Sequence, residues 1–143
     1  MDFVARNDGW LTIASGGVIA VITYLFGGLD KLLVAFGIFL ILDYGTGLGA
    51  AIYRRELSSR VALAGIGRKV AMLVFIIVAN QLDLISGNTQ GFIRNAILLF
   101  LIGTEGISIL ENCNKLGLPV PPFLSNTLDR LKNRESEKGG KIE

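Results

Sequence analysis

Histidine is absent from the 143 residues, cysteine occurs once, at Cys113, and the only prolines are Pro119, Pro121 and Pro122 near the C-terminus. Ser/His and Cys/His catalysis and zinc sites of the Cys/His kind therefore have no side chains to use, and a disulfide within one chain is excluded. Charge is also scarce. Asp, Glu, Lys and Arg make up 18% of the chain, against about 25% in an ordinary soluble domain. What fills their place is apolar: 51% of residues are hydrophobic, a further 18 are Gly, and the mean hydropathy is +0.55. So little polar surface does not cover an aqueous globule, and the composition indicates one domain of an integral membrane protein. A net charge of +2 is too small to imply nucleic acid, and the positive residues cluster beside hydrophobic runs, which points to a membrane surface.

Four apolar runs are separable: residues 10–26, 32–52, 70–86 and 92–112. The second is 21 residues long with Asp43 as its single charge; as a helix it measures roughly 31 Å, close to a bilayer core of about 30 Å. The first is short and uncharged, which also fits a signal segment, but Asp2 and Asp8 flank Arg6 where a signal wants net positive charge. Turns at 27–31 and 86–91 pair the runs into hairpins. The segment 54–69 carries Arg54, Arg55, Arg60, Arg68 and Lys69, whereas the 86–91 turn carries no cation. By the positive-inside rule that connection is cytoplasmic, and both termini follow it to the same side. The expected fold is all-α: about four transmembrane helices in two hairpins, N-in and C-in.

Asp43 lies near the middle of its run, where an ionised carboxylate costs roughly 2.5–3.5 kcal/mol to insert. It must face a bundle interior, a lumen or a neighbouring chain, or else be satisfied locally, for instance by Thr46. Gly45 and Gly49 share one helix face and would let two helices approach closely; Gly16 with Ala20 offers a weaker face of the same kind. Gly45-Thr46-Gly47 is not a phosphate loop, because no strand precedes it and no Lys-Ser or Lys-Thr follows. Glu105, Ser108 and Asn112 form a polar stripe with Glu111 adjoining. That stripe can meet another subunit, meet Asn80, Gln81 or Asp83 of the third run, or face water. Arg94 is expected to snorkel to the interface. The paired carboxylates have no aqueous cleft outside the bilayer, so neither an enzyme nor a cofactor is expected.

The charged segment 113–143 reads as a cytoplasmic tail after a transmembrane domain of residues 1–112. Gly117 and the three prolines end the last run. Leu124, Leu128 and Leu131 then recur among charged residues as a short amphipathic helix, and disorder is expected from about residue 135. Cys113 is read as a small inert side chain.

Taken in order, Asp43-Tyr44-Gly45-Thr46-Gly47, Leu57-Ser58-Ser59, Gly65-Ile66-Gly67-Arg68-Lys69, Asp83, the segment from Glu105 to Asn112, and Gly117-Leu118-Pro119-Val120-Pro121 resemble the phage holin family of the toxin-secretion and phage-lysis type. The resemblance runs from about Asp30 to Leu131. It implies a protein of the bacterial cytoplasmic membrane that forms homo-oligomers and opens lesions through which endolysin, or in relatives a large toxin, leaves the cell. An antiholin that restrains a partner holin is the nearest alternative, a small ion or proton channel is a second, and a membrane scaffold without a pore is a third. The resemblance assigns no role to any single matched residue.

Overall fold

The structure, a computed structural model, describes residues 8–56 and 58–133. Five helices follow one another: α1 (Asp8–Phe26), α2 (Lys31–Tyr53), α3 (Ser59–Ile85), α4 (Phe92–Lys115) and α5 (Pro122–Asn133). Among the described residues there is no strand. Three helices, spanning Lys31–Tyr53, Ala62–Ile85 and Phe92–Lys115, are long and apolar enough to cross a membrane; Ile13–Phe26 is a shorter apolar helix.

The helix ends explain themselves locally. Asp30 is extended and its carboxylate accepts the Leu33 N–H at 2.9 Å, capping α2. The other ends of α2, α3 and α4 close with paired backbone bonds, Glu56 N–H to Ala51 O, Asn88 N–H to Asp83 O and Leu118 N–H to Cys113 O, around a residue in the left-handed region. That residue is Gly87 for α3 and Gly117 for α4, but Arg55 for α2, at φ 57°. A side chain there costs about 1–2 kcal/mol.

The connection between α2 and α3 is shorter than the expected 54–69. α3 starts at Ser59, so Arg60, Arg68 and Lys69 belong to a helix. The run of charge marks where apolar sequence begins, not where the helix begins. Ala62, Leu63 and Ala64 are strong helix formers, Arg and Lys are nearly as good, and no proline interrupts them.

α4 is the central element, packed against α2, α3 and α5, while α1 lies against α3; α2 and α3 make no comparable backbone approach to each other. Phe36 of α2, Ile76 of α3 and Leu98, Leu101 and Ile102 of α4 form the buried core, with Met72, Leu73 and Phe100 around it. Their positions place the core toward the end that carries the 27–30 and 86–91 turns. Most other large apolar side chains of the three long helices face outward, among them Ile41, Ile52, Phe75 and Ile85. In α5, Phe123 and Leu124 are exposed; the side chains of Leu128 and Leu131, and the chain from 134 onward, lie outside the described residues.

Candidate functional site: a charge network between α2, α3 and α4

Midway along the three long helices, one lysine joins two carboxylates. Lys69 Nζ of α3 donates to Asp43 Oδ2 of α2 at 2.8 Å and to Glu105 Oε2 of α4. The side chains are 17%, 15% and 4% exposed respectively. Asn112, one stripe further along α4, donates to Asp43 Oδ1 at 3.2 Å and to Thr46 Oγ1 at 3.3 Å. The Thr46 hydroxyl in turn donates to Leu42 O at 2.8 Å. Three helices are thereby cross-linked where an unpaired charge would be costly. Removing one partner from such a set typically costs about 3–5 kcal/mol.

Asn112 reaches α2 because Gly47 leaves room: a Cβ on Gly47 would stand 3.3 Å from Asn112 Nδ2. Gly47 lies four residues from Asp43 and hence on its face. By contrast, a Cβ on Gly45, Gly49 or Gly16 would meet nothing within 4 Å, and Ala20 is exposed. Among the described residues the space beside these three glycines is open. The close approach that the glycine run predicts falls on Gly47, which the spacing of Gly45 and Gly49 does not single out.

Sequence position puts Lys69 with the surface cations, but the structure turns it inward. A clue lies in the spacing: Lys69, Met72, Leu73 and Ile76 share one helix face, and the last three line the core. Arg54, Arg55, Arg60 and Arg68 are exposed. Ser108 is half-buried and Glu111 exposed, both bordering a cleft beside the network, and Asn112 is buried. Among the described residues no group of three His, Cys, Asp or Glu side chains is placed to hold a metal ion.

Asp83 belongs to a different cluster, at the turn end. Its carboxylate accepts the N–H groups of Ile93 at 3.0 Å and Arg94 at 2.8 Å, and the Asn88 amide at 3.0 Å. It thus caps α4, whose own N-cap position is Gly91. Arg94 does not snorkel outward: it is 3% exposed, and its guanidinium donates to Asp30 Oδ2 at 2.6 Å, to Gly28 O at 3.1 Å and to Phe26 O. The free carbonyls at the end of α1 draw it in, together with Asn80, whose amide donates to Tyr24 O and Leu25 O at 2.9 and 3.0 Å. Arg94 recurs with Leu98, Leu101 and Glu105 on the buried stripe of α4, a spacing readable before the structure. The Arg94 bond holds the Asp30 carboxyl below its ordinary value; burial opposes the shift, and the Leu33 N–H reinforces it.

Comparison with known proteins adds a family. The family model described as the bacteriophage holin family matches residues 20–133. A probable holin of Bacillus phage phi105 is 38% identical over 123 residues, covering 84% of this chain and 85% of that protein. An uncharacterized protein of Clostridium perfringens is 41% identical over 81% of this chain and 86% of its own length. An uncharacterized protein of Listeria innocua is 40% identical over 92% of this chain and 95% of its own length. No solved structure matches.

Proposed function

The chain belongs to the bacteriophage holin family, and from that premise we propose that it assembles in the bacterial cytoplasmic membrane and opens lesions that release endolysin, or a large folded toxin, from the cell. The family is one of membrane proteins without catalytic function. The observation that carries the reading is the family match over residues 20–133, and the phage relative named a probable holin supports it.

Four spans in two hairpins complete the proposal. Residues 1–112 are the membrane domain and 113–143 the cytoplasmic tail. The short connection after α2 faces the cytoplasm with Arg54 and Arg55, beside Arg60 in the first turn of α3, on the positive-inside rule. Association uses the open small-residue faces: Gly45 and Gly49 on α2, and Gly16 with Ala20 on α1, whose small side chains let a neighbouring helix come close. Asp43, Lys69, Glu105 and Asn112 satisfy one another in the single chain. Once subunits crowd together, the same groups can exchange partners between chains or line water, so association and opening draw on one set of charges. Ser108 and Glu111 extend that polar surface toward the cytoplasmic end, and Asp83 holds the opposite end of α4 in place.

The decisive experiment expresses the chain in bacteria that hold a cytoplasmic endolysin, and follows lysis, release of a folded reporter enzyme and membrane potential on one time axis. Abrupt endolysin-dependent lysis with reporter release is expected. Loss of potential without protein release would replace this reading by a small channel; neither effect would replace it by an antiholin or a scaffold. In the same system Gly45→Leu is expected to reduce cross-linked oligomers and delay lysis while membrane insertion is unchanged. A wild-type cross-linking pattern would remove Gly45 from the association face.

A further inference from the structure

Where α2 and α3 part, a cleft of about 570 Å³ opens between them and α4, within the range of about 300–1,000 Å³ typical of small-ligand sites. Its inner end is the Asp43–Lys69 pair. Its outer part is bordered by Arg54, Arg68 and Lys115, with Tyr44 and Leu48 on the α2 wall. Tyr44 and Leu48 are 44% and 39% exposed, so apolar surface continues from the cleft to the outside of the helices.

The three outer cations have no ion pair or side-chain hydrogen bond among the described residues. Glu56 and Glu111 also border the cleft, and against three cations they leave one positive charge in excess. Ser58, at the rim, is the N-cap of α3 but makes no side-chain capping bond. The positive end of that helix therefore adds to the same field.

We propose that this cleft seats the headgroup of an anionic glycerophospholipid, its phosphodiester between Arg54, Arg68 and Lys115 and an acyl chain leaving between α2 and α3 over Tyr44 and Leu48. One phosphodiester matches the excess among the outer residues; the Asp43–Lys69–Glu105 set, one cation against two carboxylates, lies at the inner end. The apolar exit favours a lipid over a soluble phosphate, and basic pockets between membrane helices are suited to such headgroups. The site is separate from the lesion-forming role: it requires a membrane-embedded chain, not a holin.

The test places one tryptophan in the cleft wall, Tyr44→Trp with Trp10→Phe, in the full chain reconstituted in vesicles. Brominated phosphatidylglycerol is expected to quench it at a much lower mole fraction than brominated phosphatidylcholine. Arg68→Gln is expected to reduce that preference about fivefold, the contribution of one interfacial cation. Millimolar glycerol phosphate should not relieve the quenching. Equal quenching by the two lipids overturns the proposal, and relief by glycerol phosphate overturns it in favour of a soluble phosphate. If the tryptophan variant fails to fold, native mass spectrometry of the unaltered chain from mixed micelles decides. Retention of phosphatidylglycerol over phosphatidylcholine supports the site, and equal retention rejects it.

Discussion

The two ends of this helix bundle are held together by different physics. At the turn end, apolar side chains interlock around Phe36, Ile76 and Leu98, and three buried polar side chains bind backbone: Asp83 at the start of α4, Asn80 and Arg94 at the end of α1 and the 26–28 carbonyls. At the other end α2 and α3 separate, and what joins them is the Asp43–Lys69–Glu105 set beside an open cleft. Backbone capping has no alternative partner to offer another chain. A side-chain charge set does, because each member can be satisfied by an equivalent group elsewhere. The molecule thus pairs a fixed end with an exchangeable one, and on the proposed assembly any rearrangement would belong to the second.

The largest effect should come from breaking the exchangeable end. Lys69→Met leaves two carboxylates of the same set without their cation, and the expected loss is about 3–5 kcal/mol. Measured by thermal unfolding in micelles, this variant should be the least stable of those considered. Combining Asp43→Asn, Lys69→Met and Glu105→Gln removes the charges together, and most of the loss should return, because no uncompensated charge remains. If Lys69→Met unfolds at the wild-type temperature, or the triple variant is no better than the single, the charge set does not hold these helices together.

A smaller effect should follow from opening the fixed end. Asp83→Ala removes the acceptor for two otherwise free N–H groups of α4, at an expected cost of about 1–2 kcal/mol. Amide exchange at Ile93 and Arg94 should accelerate while exchange around Glu105 stays slow, since loss of a cap acts within the first turn. Acceleration spreading evenly along α4 would mean that the two ends are one cooperative unit and that the contrast between them has no energetic content.

How much of this was legible depended on whether a residue's chemistry or its partner carried the signal. Asp43 and Glu105 stand out because each interrupts an apolar run, and the all-helical class follows from those runs. The partner of both was hidden: Lys69 adjoins Arg68 in a charged segment, and a rule that counts cations assigns both to the surface. Only the helical face it shares with Met72, Leu73 and Ile76 separates them. Arg94 was obscured in the same way, since the free carbonyls that draw it inward belong to a turn more than sixty residues earlier. The start of α3 at Ser59 is not visible in the hydropathy, which marks where a helix becomes apolar and not where its hydrogen bonding begins. Gly47 faces Asn112 although its neighbours Gly45 and Gly49 form the more conspicuous pair; a tight spot within a chain needs the second helix to be seen.

The smallest effect concerns Asp30, where the fixed end reaches solvent. Its carboxylate bonds Arg94 and caps α2, and the Arg94 bond depresses its pKa below the ordinary 3.8. A depressed carboxylate stabilises the fold above its unfolded pKa, and that contribution disappears as pH falls through the lower folded value. Its side chain is 45% exposed, so solvent and salt screen the interaction and its effect should be weaker than that of Asp83. Unfolding temperature, followed downward from neutral pH, should show an acid limb at and below about pH 4. In Asp30→Asn the curve should start lower at neutral pH and fall less through that window, the two curves converging in acid. Because the Asp30 pair is at the turn end, charge-neutral Asp43→Asn/Lys69→Met/Glu105→Gln chains should retain the same acid limb. Parallel curves for wild type and Asp30→Asn would detach the Asp30–Arg94 contact from the fixed end and leave its stability to the apolar core and the buried caps alone.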